Sequence, residues 1–365
     1  MKSPIIRSRP LKALLFLLIL SSCSRNPANQ LARDLYPQFG QLSAPEHNFE
    51  QLWHLFDRHY ALFELKKIDW DNVYQAYRPL VTSTTSEVEL LGYFEEMLNP
   101  LKDGHVRLTR ADTNLVQLER RVCQFARNFR GRLREFQQNT FDVLSKNGFA
   151  ALVHEIPIPG YQELGFDHLY SYTQSSSIGY LRIVDCRDEL KSYDQILAEF
   201  SSTKGLIIDL RYNLGGEVGK EMAARFLQES KIYGYKMVKG SKGFTPAIPL
   251  KAKVTGHQYD KPIVILMNDA TFSAAEEFVL VLAKEPHVQI VGNHSGGYFS
   301  DAFTYRLPNG LVASLSHEQY LDLDHQLLED IGIQPHIHIR NSIEDLAAKR
   351  DPVLEKAIEV LQEKL

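Results

Sequence analysis

The sequence predicts an α/β protein in which helices cover a largely parallel sheet, with a small helical domain ahead of it. Two patterns carry that prediction. Between residues 178 and 292 the short β-branched runs IGYLRIV, GLIIDLR, KPIVILMN and VQIVG alternate with helical segments around 190–201, around 217–229 and from Ser273 onward. Such alternation calls for parallel strands joined by helical crossovers. From Phe49 to about Leu101 the apolar residues recur instead at helical spacing, as in FEQLWHLFDRHYALF and SEVELLGYFEEML, with breaks at Ile68-Asp69, Pro79 and Pro100.

The helical part ends at Asp103-Gly104, a turn that feeds the short alternating strand HVRL and puts His105 at its start. Residues 115–136 then set Leu118, Val122, Phe125, Phe129, Leu133 and Phe136 on one stripe, with Arg120, Arg121, Arg127, Arg130, Arg132 and Arg134 around it. This reads as one amphipathic basic helix that either packs on the core beneath a solvated charged face or touches a lipid surface.

The N-terminus sets the compartment. Lys2, Arg7, Arg9 and Lys12 precede the apolar run ALLFLLIL and the small residues of SSC, the order of a secretory signal. The apolar run is about half of the ~20 residues a membrane-spanning helix needs. Leu20-Ser21-Ser22-Cys23 resembles a bacterial lipobox, which implies acylation of Cys23 and a lipid-anchored protein on the extracytoplasmic side of the bacterial cell envelope. The expected organisation is a signal peptide over 1–22, a lipidated tether over 23–45, the helical domain over 46–110, a helical insertion over 111–174, the α/β domain over 175–345 and a C-terminal helix over 346–365.

Two further cysteines, Cys123 and Cys186, could close a disulfide loop in an oxidising space, worth ~4 kcal/mol by chain-entropy arithmetic. The formal net charge of -4 over 365 residues argues against a nucleic-acid partner. No Cys/His spacing suits zinc. His317-Glu318 lacks the second histidine of a zinc-peptidase helix, and His336 and His338 merely alternate on a terminal strand, so neither a metal nor an organic cofactor is expected.

Two stretches could carry chemistry. GLIIDLRYNLGGEVGKE runs from a buried strand into the Gly215-Gly216 turn, which aims backbone N–H groups at an anion. It is not a phosphate loop: Leu214 stands at the first glycine position of that motif and Glu221 replaces its hydroxyl residue. In NDATFSAAEEF, Ser273 opens a helix with Glu276 three residues on. That is a capping box, and equally the strand-to-helix turn on which hydrolases expose a nucleophile.

DGHVRL, GLIIDLRYNLGGE, PIVILMNDATFSAAEEF, IVGNHSGG and EDIGIQPHI, in this order, resemble the tail-specific (C-terminal processing) serine proteases, including the catalytic core of tricorn protease. The resemblance spans roughly residues 45–110 and 175–345. It implies a ClpP/crotonase-like β-α superhelix, Ser273 as nucleophile, and oxyanion-hole N–H groups from Gly215, Gly216 and Ala274. One branch of the family uses a lysine base shortly after the serine. Tyr298 stands at that position here, and Lys284 is out of register to replace it. The tricorn-like branch implies His105 as general base and Glu329 as its orienting acid. Two positions depart from that branch: Gly104 replaces a serine before the histidine, and His336 replaces an aspartate. Residues 110–175 are too few for the peptide-binding PDZ domain that many members carry. The function implied is a membrane-tethered serine endopeptidase that cleaves peptides or unfolded proteins through an acyl-enzyme. The alternatives are a non-catalytic peptide- or lipid-binding module on the same fold, and crotonase-like acyl-thioester chemistry.

Overall fold

The computed structural model describes residues 42–365 apart from 111–112, 117, 119–122, 130, 160 and 162–164. The expected signal peptide, Cys23 and most of the tether lie outside the described residues. No helix among the described residues is long and apolar enough to cross a membrane.

A seven-stranded sheet forms the centre. Strands Ile178–Ile183, Gly205–Asp209, Ile263–Met267, Val288–Gly292 and Ile337–His338 lie side by side in chain order, all parallel. His168–Gln174 and Val153–Pro157 extend the sheet antiparallel beyond Ile178–Ile183. Because the parallel strands advance in one direction, their crossover helices Leu190–Glu199, Gly219–Ala223 and Ala274–Leu282 fall on one face. Side-chain alternation separates the two faces. Leu206, Ile208, Ile263, Ile265, Met267 and Ile290 pack under the crossover helices. Ile178, Tyr180, Ile207, Val264, Leu266 and Val291 pack under Leu133–Lys146 and the C-terminal helix Pro352–Lys364.

The helical N-terminus begins at Ala44–His59, where Glu46 accepts from the Ser43 N–H and hydroxyl, and includes Glu87–Leu98, where Ser86 and Glu89 form a complete capping box. Its core holds Phe49, Leu52, Phe56, Phe94 and Leu101, and also Leu307, Leu311, Ala313 and Leu315 from a distant hairpin, Ala302–Arg306 and Val312–Ser316. Strand Arg107–Arg110 pairs with that hairpin, Arg107 opposite Ser314 and Thr109 opposite Val312. The pairing anchors the turn that carries His105.

Three expectations need correction and one element was unforeseen; the first correction is the helical insertion over 111–174, which also supplies strands Thr113–Asn114, Val153–Pro157 and His168–Gln174. Residues 115–136 are not one helix. Thr113–Asn114 is a strand, Gln124–Phe129 is a short helix, and Gly131 at φ 75° separates it from Leu133–Lys146. Phe125, Phe129, Leu133 and Phe136 nevertheless share one buried cluster, whereas Arg132 and Arg134 pair with Glu135 and Asp167 at the surface, so these four apolar residues pack on the core. A long antiparallel ribbon, Lys231–Gly240 with Ile248–Ala252 and Glu318–Leu321, had no counterpart in the sequence reading. Cys123 and Cys186 form no disulfide: Cys186 is buried beside the Gly215-Gly216 turn, while Cys123 accepts the Ala126 N–H.

A buried ion cluster fixes the end of strand Gly205–Asp209. Arg211 bonds Asp209 at 2.7 Å and Asp351 at 2.7 Å, and all three side chains are at most 3% exposed. Thr140, Asn341 and the Leu354 N–H donate to Asp351, and Tyr180 donates to Asp209. Asp351→Asn strips one counter-charge from a guanidinium that water cannot reach, so the urea-unfolding free energy is expected to fall by about 3–5 kcal/mol. An unchanged midpoint would show that Asp209 alone neutralises Arg211.

Candidate active site

Strand Ile263–Met267 leads through residues 268–272 to Ser273 and helix Ala274–Leu282. The loop is sewn to the neighbouring strand end. The Asn268 N–H donates to Thr271 Oγ1, whose hydroxyl donates to the Leu210 carbonyl, and the Phe272 N–H donates to the Asn213 carbonyl. Ser273 is held at φ 53°, ψ -120°, a conformation that costs a non-glycine residue about 1–3 kcal/mol. The arrangement of a capping box is present, but only its carboxylate arm is a hydrogen bond, from the Ser273 N–H to Glu276 at 3.1 Å. The serine side chain makes no cap hydrogen bond.

The glycine turn abuts this elbow. A methyl on Gly215 would lie 2.9 Å from Ser273 Cβ, and φ +87° independently favours glycine there. The Gly215 N–H, one of the expected oxyanion donors, is instead given to Asn213 Oδ1 at 2.9 Å, so Gly215 contributes space rather than a donor. The N–H groups of Gly216 and Ala274 make no hydrogen bond among the described residues. They are the two expected donors open to a ligand. Asn213 is fully buried and also donates to the Ile183 carbonyl, a brace that sequence reasoning missed although an Asn two residues before Gly-Gly signals an Asx turn.

His105 is buried, and its backbone N–H donates to Asp103 Oδ1 at 2.8 Å, while Tyr60 donates its hydroxyl to Asp103 Oδ2. The imidazole lies 5.1 Å, centroid to centroid, from the ring of Phe272, the residue before Ser273, and 6.4 Å from that of Tyr298. A Cβ added at Gly104 would stand 3.0 Å from both Phe272 and Tyr298, which accounts for a glycine beside the histidine. The structure thus sets His105 against Phe272 and Tyr298, and Ser273 and Phe272 against the glycine turn, so that Phe272 links the two groups. Lys284 is exposed, past the end of the helix.

Glu329 is 1% exposed; its Oε2 accepts the N–H groups of Phe299 and Ser300, and its Oε1 has no partner among the described residues. Burial first, and then the nearby Asp103 carboxylate, push its pKa well above the ordinary carboxyl range. His336 accepts the Ile290 N–H and meets the Ala283 carbonyl, and His338 bonds Asn293, so both serve the sheet edge. No group of three or more His, Cys, Asp or Glu side chains among the described residues could hold a metal ion.

The fold agrees with known proteins. Residues 177–339 match the model of peptidase family S41, and residues 44–99 match that of the tricorn protease C1 domain. The carboxy-terminal processing protease CtpA of Bacillus subtilis is 28% identical over 177 residues, 46% of this chain and 36% of CtpA. An uncharacterised protein of Chlamydia muridarum is 31% identical over 96 residues, 24% of this chain and 15% of its own length. The chain therefore spans about a third or less of these relatives. A solved structure of a candidate peptidase from Parabacteroides merdae superposes with a TM-score of 0.69 at 28% identity, covering 87% of this chain and 97% of that one. Tricorn protease superposes with a TM-score of 0.55 at 15% identity over 88% of this chain and 37% of its own, which shows the fold alone.

The backbone at Ser273 yields a direct test of stored strain. Glycine adopts φ 53° without a Cβ clash, so Ser273→Gly is expected to be about 1 kcal/mol more stable than Ser273→Ala, against the usual ordering of those two residues. Thermal unfolding of the two variants reads the difference, and alanine being the more stable would deny the strain.

Proposed function

We propose that this chain, which carries a peptidase family S41 domain behind a tricorn C1 domain, is a serine endopeptidase that cleaves peptides or unfolded proteins through an acyl-enzyme. The observation that carries the reading is the strained Ser273 elbow set against a glycine turn, with the N–H groups of Gly216 and Ala274 open beside it.

In this mechanism Ser273 Oγ attacks the scissile carbonyl carbon while His105 takes its proton. The oxyanion that forms is met by the N–H groups of Gly216 and Ala274, a contribution of about 10²–10³ in rate per donor. His105 then returns the proton to the leaving amine, and the C–N bond breaks. Water hydrolyses the acyl-serine by the same route, with His105 as base again. Glu329, buried near Asp103, is the acid this reading assigns to orient the imidazole, with its Oε1 as the acceptor left open for that bond. The catalytic turn, Asp103 to His105, depends on the C-terminal half of the chain for its support, through the pairing of Arg107–Arg110 with Val312–Ser316.

The described residues between 110 and 175 build helices and two strands of the main sheet, so substrate reaches the site without a separate peptide-binding domain in that interval. In this reading acylation of Cys23 after removal of residues 1–22 tethers the enzyme to a membrane of the bacterial envelope on its extracytoplasmic, periplasm-facing side, and Cys23→Ser is expected to move it from the membrane fraction to the soluble fraction. Retention in the membrane by the serine variant would rule out the lipid anchor.

Labelling by a serine-reactive fluorophosphonate tests the core of the reading. The native chain is expected to label and Ser273→Ala not, and hydrolysis of a peptide library is expected to fall about 10²–10⁴-fold in His105→Ala, with a smaller loss in Glu329→Gln. Saturable peptide binding that survives Ser273→Ala, without turnover by the native chain, would identify a binding module instead.

A further inference from the structure

We infer that Glu276 is a positioning residue for this reaction, a latch whose carboxylate holds residues 295–298 against the turn that carries His105. The inference rests on the reading of Ser273 as nucleophile.

A capping glutamate needs to accept only the N–H of its own N-cap residue. Glu276 is fully buried and does much more. Its Oε1 accepts from Ser295 Oγ at 2.6 Å and from the Gly297 N–H at 2.6 Å, and its Oε2 accepts from the Tyr298 N–H at 2.8 Å as well as from Ser273. The next two N–H groups, of Phe299 and Ser300, go to Glu329. Four consecutive backbone donors are therefore shared by two buried carboxyl groups, one on the helix that Ser273 opens and one beside the Asp103 turn. Ser295 extends the latch, because its Oγ also accepts the Ile333 N–H, and Asp330 donates its N–H to the Gly297 carbonyl. What the latch presses into place is Tyr298, whose ring lies 4.9 Å from that of Phe272 and closes on Gly104.

Every partner of the carboxyl group is a donor, so the arrangement suits the acceptor-only anion. The titratable groups tied to it are Glu277, next on its own helix and bonded by the Tyr233 hydroxyl, and Glu329, whose charge it opposes; Asp330 beside Glu329 is paired by Lys66 at 2.8 Å. Burial pushes the Glu276 pKa up to about 7, against the pull of its hydrogen bonds. With the folded value above the unfolded one, the folded state holds the extra proton between them, so this group's contribution to stability falls as pH rises through about 7. The anion that latches the loop forms over the same interval. This group's contribution to stability and the formation of the latching anion consequently move in opposite directions around neutrality.

Glu276→Gln keeps the shape but presents an amide NH₂ to donors. Hydrogen exchange of the full chain at about pH 8 is expected to show the Gly297 and Tyr298 amides exchanging at least about tenfold faster in the variant, as loss of a charge-assisted bond implies. On a fluorogenic peptide, kcat is expected to fall at least about tenfold with KM within about threefold, and the acid limb of kcat to lose one of two protonation steps, leaving the one from His105. A folded variant with native exchange at those amides, or with native kcat and acid limb, overturns the inference. If the variant does not fold, Ser295→Ala removes a single arm and is expected to loosen the same amides with a smaller fall in kcat; native behaviour there also overturns it. A native chain that neither cleaves nor labels refutes the reading of Ser273, while the exchange data still decide whether Glu276 latches the loop.

Discussion

The contact between Gly215 and Ser273 constrains the rest of the molecule. Two backbone segments meet with no room for a methyl group, one at the end of strand Gly205–Asp209 and one after strand Ile263–Met267. They can meet only if the two strands end level, and the parallel register, Ile265 opposite Ile208 and Leu266 opposite Asp209, provides that. The Thr271 hydroxyl and the Phe272 N–H then lock one loop to the other, and Arg211 ties the first of them to Asp351 at the start of the C-terminal helix. A serine in a costly backbone conformation persists because these neighbours leave the chain no relaxed alternative.

The polar interior follows a second rule. Asp103, Glu276 and Glu329 are buried carboxyl groups, and each meets backbone N–H groups. N–H donors neutralise part of a carboxylate's charge without adding a flexible cation, so the site obtains rigidity from groups the backbone must satisfy in any case. Burial of several such acids in one region raises the proton affinity of the most enclosed members, as the directions for Glu276 and Glu329 show.

Much of this was legible in the sequence, for reasons that can be traced to particular residues. The parallel strands announced themselves because both of their faces are covered, so runs such as LIIDL and IVILM are apolar throughout. Ser273 was ambiguous because one tetrad, Ser-x-x-Glu, serves both a cap and an elbow, and only the backbone angles separate them. The role of Gly215 was misassigned because Asn213 competes for its N–H, a contact set by side-chain rotamer rather than by motif. The ribbon from Lys231 to Ala252 escaped notice because its strands are half exposed, with weak alternation. The arginine-rich stretch read as one helix because its apolar spacing continues across Gly131, where the chain turns. Glu276 was legible as a cap, but its three other donors come from residues about twenty positions further on, beyond the reach of any local pattern.

The pairing of Arg107 with Ser314 spans 314 − 107 = 207 positions, and the first core of the chain stays open until that hairpin arrives. Closing so long a segment is entropically costly and slow compared with forming any of the helices within it. The turn bearing His105 therefore acquires this support only after residues 312–316 have been made. Order of synthesis thus acts as a timer: a nascent chain that stops short of residue 312 holds Ser273 before the strand that supports the His105 turn exists.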